Sequence, residues 1–172
     1  MQTFLGLPLS QEWQDLFIWE RFFKIYPVRT FIELGTGHGG LSLFFALQCH
    51  AIGASFHTFD NQTLIDMDEP LAKLVNLPAS FYNIDIFEGQ DRIKKLIQSS
   101  PHPIAMFFDD GDKPREWSTF APHLSPGDYC AVHDFGTEFT EEHIGGVPVV
   151  RILGEISDKR GAGWKSMWFK RT

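Results

Sequence analysis

Short apolar runs alternate along the chain with segments of helical period. Five runs read as strands: TFIEL from Thr30, ASFHTFD from Ala54, SFYNID from Ser80, IAMFFDD from Ile104 and DYCAVHD from Asp128. They recur about every 25 residues. Helical patterns fall between them, at 39–49, 69–76, 87–99 and 114–124. This alternation predicts βαβ units and an open, doubly wound, mostly parallel sheet with helices on both faces. A further helix precedes the first strand, with Ser10 as its N-cap and Pro27 as its stop after Tyr26. Its apolar residues, among them Trp13, Phe17, Trp19, Phe22 and Ile25, fill more than one stripe. One face is expected to cover the core, the other either to cap a cavity or to meet a second subunit in a homodimer. After Phe135 the pattern loosens. Residues 147–157 read equally as helix or strand. WKSMWFKR, from Trp164, alternates and reads as a closing antiparallel C-terminal strand after a turn at Gly161 and Gly163.

Four of the five strands end on an acid: Asp60, Asp85, the pair Asp109–Asp110, and Asp134. In an open parallel sheet, ligands bind at the carboxyl ends of the strands. The acids therefore gather where a site belongs.

The first strand runs into a glycine loop and a helix, FIELGTGHGGLSLFFA. Gly35, Gly37 and Gly39 allow a tight turn and close approach of a ligand. The helix start offers unpaired N–H groups. Gly35, Gly37 and Gly40 also fit the dinucleotide fingerprint G-x-G-x-x-G. Glu33 tilts the choice, because a buried acid under the loop suits a cationic ligand better than a pyrophosphate. S-adenosylmethionine (SAM) carries both an ammonium and a sulfonium. Asp60, 20 residues past Gly40, is placed to accept ribose hydroxyls from either cofactor.

E-x-G-x-G-x-G after the first strand, with an acid ending the second, resembles the class I SAM-dependent methyltransferases over about residues 28–136. The resemblance implies an α/β, Rossmann-like fold, SAM as cofactor and methyl transfer. The implied cofactor residues are Glu33, Gly35, Thr36, Gly37, His38, Gly39, Asp60, Asn61, Asp85, Ile86 and Asp110. Asp85 would lie near the adenine with Ile86 packed on the ring. Asp85 is equally placed to cap the helix over 87–99.

IAMFFDDGDKPREW followed by LSPGDYCAVHDF is similar to a narrower group, the small-molecule O-methyltransferases of the cephalosporin-hydroxylase-like and macrocin type. That similarity implies a small hydroxylated acceptor and divalent-metal assistance, with Asp110, His133 and Asp134 as ligands. Asp112 becomes a candidate general base. Lys113 matches the lysine that takes the proton in catechol-type relatives. His133 departs from the usual acidic ligand pair. Histidine suits Mn²⁺ better than Mg²⁺, and His133 is also suited to act as a base.

Net charge narrows the partners. At −7 the chain repels phosphate backbones, so general nucleic-acid binding is not expected. Lys159, Arg160, Lys165, Lys170 and Arg171 form a basic C-terminal stretch that reads as a solvated edge. Cys49 and Cys130 lie in apolar runs, which predicts free thiols in a reducing, cytoplasmic setting. The start of the chain lacks the pattern of a signal peptide. No run approaches the roughly 18 apolar residues of a membrane span, so no membrane association is expected. One domain is expected over 1–172, with an aromatic helix (1–27), a cofactor-binding core (28–136) and closing elements (137–172). Two other functions compete: an NAD-dependent oxidoreductase, which has no use for so many strand-end acids, and a non-catalytic SAM-binding or interaction module, which the short chain allows.

Overall fold

The computed structural model describes residues 2–61, 79–157 and 166–172. The helix expected at 69–76, the turn at Gly161 and Gly163, and Lys159, Arg160 and Lys165 lie outside them.

All five expected strands are present. They are β3 (Thr30–Leu34), β4 (Ser55–Asp60), β5 (Ala79–Asn83), β6 (Ile104–Phe108) and β7 (Tyr129–Val132). These five run parallel to one another. Two more strands, β8 (Val149–Ile152) and β9 (Met167–Arg171), complete a seven-stranded sheet of order β5-β4-β3-β6-β7-β9-β8. The closing strand β9 is antiparallel to both β7 and β8, as its alternation predicts. The ambiguous stretch 147–157 is both things in turn, β8 and then a short helix over Gly154–Ser157.

Side-chain parity divides the sheet into two faces. Phe31, Phe56, Ala105, Phe107 and Ala131 pack with helices α1 (Trp13–Ile25) and α2 (Gly40–Ile52). Ile32, Ile104, Met106 and Phe108 pack on the other side with α3 (Gln90–Ser99) and α4 (Lys113–Phe120). Helices therefore cover both faces, the doubly wound arrangement. Trp19 anchors the first layer, with edge-to-face contacts to Phe22, Phe31, Phe45, Phe107 and Trp168. Cys49 and Cys130 are buried and free, as expected. Trp13, Phe17 and Ile25 of α1 stay exposed, while Leu16, Ile18, Trp19, Phe22 and Phe23 are buried.

Three expectations need correction. α1 starts at Trp13 with Glu12 at its N-cap, not at Ser10. The residues before it form a hairpin, β1 (Gln2–Phe4) and β2 (Leu7–Leu9), turned by Leu5 and Gly6 at positive φ. Strands of three residues are too short to show a period. Finally, Arg171 is buried, not part of a solvated edge. Its guanidinium donates to the carbonyls of Leu124 and Pro148.

The strand order reverses at β3 and β6, with β4 on one side and β7 on the other. The carboxyl ends at such a reversal open a crevice between diverging loops.

Candidate functional site

A cavity of about 580 Å³ fills that crevice, a size typical of small-molecule sites. Its floor is the loop after β3. Gly35 has φ +95°, and a Cβ there would collide with the Asp109 backbone. The loop thus lies against the end of β6 and only glycine fits. Gly40 opens α2 directly beneath the hairpin, where a Cβ would strike the Pro8 carbonyl. Pro8, Ser10 and Gln11 consequently wall the cavity beside Gly35, Thr36, Gly37, His38 and Gly39.

Glu33 supports the loop from below and does not line the cavity. It is fully buried and accepts hydrogen bonds from Ser42 Oγ at 2.5 Å and Thr58 Oγ1 at 2.6 Å. Burial pushes its carboxyl up to about 8, despite the opposing pull of those two hydroxyls. The enclosed carboxyl braces β3, β4 and α2. It lies behind the loop and not on the cavity, where the sequence places it against a cationic ligand.

Asp60 does reach the cavity, and the Gly37 N–H donates to its Oδ2 at 2.7 Å. Asn61 lines the same wall and donates to Asp85 Oδ2 at 3.2 Å. Asp85 itself is not part of the lining. It accepts from the Glu88 and Phe87 N–H groups, which hold its carboxyl below the ordinary range. Ile86 is buried in the core with Phe59, Ile93 and Ile97. Of the two, only Asp85 communicates with the cavity, and it does so through Asn61.

The far wall is acidic. Asp109, Asp110, Gly111, Lys113, His133 and Asp134 all line it. Asp109, His133 and Asp134 bring one donor atom each within 4.8 Å of one another. The sequence reading placed Asp110 in this trio. Asp109 takes that position because it continues the row Ala105–Phe107 of β6, as His133 continues Tyr129–Ala131 of β7. Asp110 falls on the opposite parity, with its N–H on the buried Glu116 Oε1. Burial and the nearby Asp60, Asp85 and Asp109 charges push Asp110 up to about 7. Gln11 Nε2 donates to Asp109 Oδ2 at 2.7 Å, a contact no sequence signal marks. Asp134 sits at φ +56°, a left-handed conformation rare outside glycine and frequent at functional sites.

Lys113 is enclosed by carboxylates. Its Nζ stands 2.8 Å from Glu138 Oε2, 3.0 Å from Asp134 Oδ2 and 3.4 Å from Asp109 Oδ1. Burial favours the neutral amine, but Asp109, Glu138 and Asp134 outweigh it and hold Lys113 above its usual range. A lysine so fixed stays an ammonium, which corrects its expected role as proton acceptor. Asp112 is also displaced from the chemistry. It is exposed, outside the lining, and accepts from the Arg115 N–H as the cap of α4. His133 remains. Its Nδ1 lies 2.9 Å from Asp134 Oδ1 and 3.5 Å from Asp109 Oδ1. Burial would lower the imidazole, yet Asp134 and Asp109 raise it above its ordinary value. Burial pushes Asp109 up to about 6 against the pull of His133 and Lys113.

The donor chemistry of the trio, two carboxylates and an imidazole, is that of a Mn²⁺ or Fe²⁺ site. Asp134 Oδ1 is buried without a hydrogen-bond partner, although His133 Nδ1 stands 2.9 Å away. Against a metal, the Lys113 ammonium already contacts two of the three ligands. With Lys113 so placed, a positive charge already stands beside two of the trio's carboxylates.

No protein-family model matches the chain. No curated protein matches it in sequence. Solved structures do match in fold. A CmcI apo-structure superimposes with TM-score 0.69 at 16% identity, over 99% of this chain and 76% of that one. A CmcI structure with Mg-SAM gives TM-score 0.68, again at 16% identity over 99% and 76%. An RNA methyltransferase from Salinibacter ruber, in complex with S-adenosyl-L-homocysteine, gives 0.59 at 14% identity, over 95% and 94%. The chain therefore has the Rossmann-like fold that these proteins share.

Proposed function

We propose that this chain is a SAM-dependent methyltransferase acting on a small hydroxylated acceptor. The observation that carries the reading is the layout of the cavity. A glycine loop tied to Asp60 forms one end, and the cluster of Asp109, His133, Asp134 and Lys113 forms the other. The fold neighbours with Mg-SAM and S-adenosyl-L-homocysteine support it.

The cofactor residues fit this role. Gly35–Gly39 let the backbone approach a ligand, and the start of α2 turns N–H groups toward a carboxylate. Asp60, fixed by the Gly37 N–H, is the acceptor for ribose hydroxyls, and Asn61 extends that wall toward Asp85. SAM supplies, when bound, an electrophilic methyl group on a sulfonium. The chain's own residues do the rest. The acidic wall places the acceptor hydroxyl, His133 removes its proton, and Asp109 and Asp134 orient and stabilise the imidazolium. Gln11 holds Asp109 in place. Positioning provides most of the rate in such a reaction. No step here is routed through a metal.

The acidic wall also argues against a dehydrogenase, whose pyrophosphate would meet Asp60, Asp109 and Asp110 across one cavity. Incubation with methyl-labelled SAM and a panel of sugars, phenols and alcohols tests the reading. Label transferred to a hydroxylated acceptor supports it. SAM binding with no transfer to any acceptor moves the chain to a non-catalytic SAM-binding module.

A further inference from the structure

Lys113 raises a question that methyl transfer alone does not answer. Its side chain is 5% exposed, and its ammonium has three N–H donors. Three carboxylates surround it: Glu138 at 2.8 Å, Asp134 at 3.0 Å and Asp109 at 3.4 Å. Two of these belong to the trio that otherwise resembles a cation site. Lys113 opens α4 directly after the Gly111–Asp112 turn, and α4 is held by its Asp112 cap and the buried Trp117. The ammonium is thus delivered by a rigid element, not by a roaming surface chain.

We propose that the Lys113 ammonium takes the place of a divalent cation, so that this acceptor site works without a metal. Two enclosed carboxylates, Asp109 and Asp134, need positive charge close by, because a low-dielectric site cannot hold them otherwise. Lys113 supplies it. A divalent ion on Asp109 and Asp134 would stand beside a fixed ammonium and repel it. The two occupants exclude each other. The same arrangement lets Lys113 steady the negative charge of the acceptor oxygen as its proton leaves. Where related folds are solved with Mg-SAM, as in CmcI, this chain carries its own cation. The inference deepens the proposed acceptor site and rests on that reading for its catalytic consequence, though not for its binding test.

Calorimetric titration with Mn²⁺, the divalent ion best suited to a carboxylate–imidazole set, tests it. Wild-type protein and Lys113→Met are compared, each also titrated with SAM. The wild type is expected to show no Mn²⁺ binding in the micromolar range. Lys113→Met, with its carboxylates freed, is expected to bind Mn²⁺ at least about tenfold tighter. Methyl transfer by the wild type is expected to survive excess chelator. Micromolar Mn²⁺ binding by the wild type overturns the proposal, as does equal affinity in the variant, or activity that chelator abolishes and Mn²⁺ restores. If the variant loses its cooperative unfolding transition, the wild-type titration decides alone. SAM affinity in the same samples separates this outcome from failure of the methyltransferase reading.

Discussion

The Gly37 N–H donates to Asp60 Oδ2 over 2.7 Å, tying the loop after β3 to the end of β4. The bond does two things. It fixes the loop backbone, and it orients a carboxylate at the cavity wall. Asp60→Ala should therefore weaken SAM binding by about 1–3 kcal/mol, roughly five- to 150-fold. Thermal unfolding should change little, because Asp60 is half-buried at a strand end. Calorimetry reads the first effect and a melting curve the second.

Gly35→Ala should damage fold and site together. The position has φ +95°, and its Cβ would meet the Asp109 backbone. Backbone strain of this kind costs about 1–3 kcal/mol before the collision is counted. In a chain of 172 residues that lowers Tm by several degrees. SAM binding should be lost at temperatures where the variant is still folded.

Glu33 makes stability depend on pH. Its folded value near 8 lies above the ordinary 4.5. Between those values the folded state holds a proton that the unfolded state has released. Stability is therefore full below about 4.5, falls as pH rises toward 8, and levels off above. Glu33→Gln keeps the acceptor for Ser42 and Thr58 and cannot ionise. It should flatten the pH dependence of unfolding by one proton, about 1.4 kcal/mol per pH unit at most. Denaturant melts across the window check this. An unchanged slope would mean that Glu33 is ionised in the folded protein.

His133 should set the acidic limb of the activity profile. A base works only when deprotonated, and Asp134 and Asp109 raise this imidazole above its usual value near 6.5. The limb in kcat/KM is expected above that pH, reporting the cluster as a unit. His133→Asn should remove the limb along with most of the turnover, while SAM affinity holds.

Gln11→Ala is expected to lower kcat about tenfold and leave SAM affinity unchanged, because Gln11 touches Asp109 and not the glycine loop. A matched loss in SAM binding would show instead that the hairpin wall holds the cofactor.

These residues differ in how legible they were. The glycine loop and Asp60 follow from the sequence because backbone turns and strand ends admit few alternatives. Asp109 was within reach as well. Strand parity pairs it with His133, whereas the similarity to the small-molecule O-methyltransferases points to Asp110. Lys113 is legible in its place on the chain but not in its partners. Its three carboxylates come from β6, the end of β7 and the loop that follows it, and only the assembled fold brings them together. Gln11 left no trace, since the hairpin before it is made of three-residue strands. Glu33 was read as a charge because the sequence does not show how completely α2 and β4 enclose it.

The most direct test of the central claim is calorimetric titration of the purified chain with SAM, with NADH as the comparison ligand. Micromolar SAM binding that Asp60→Ala weakens, with no NADH binding, is the predicted result. No SAM binding, or tight NADH binding, would contradict the account.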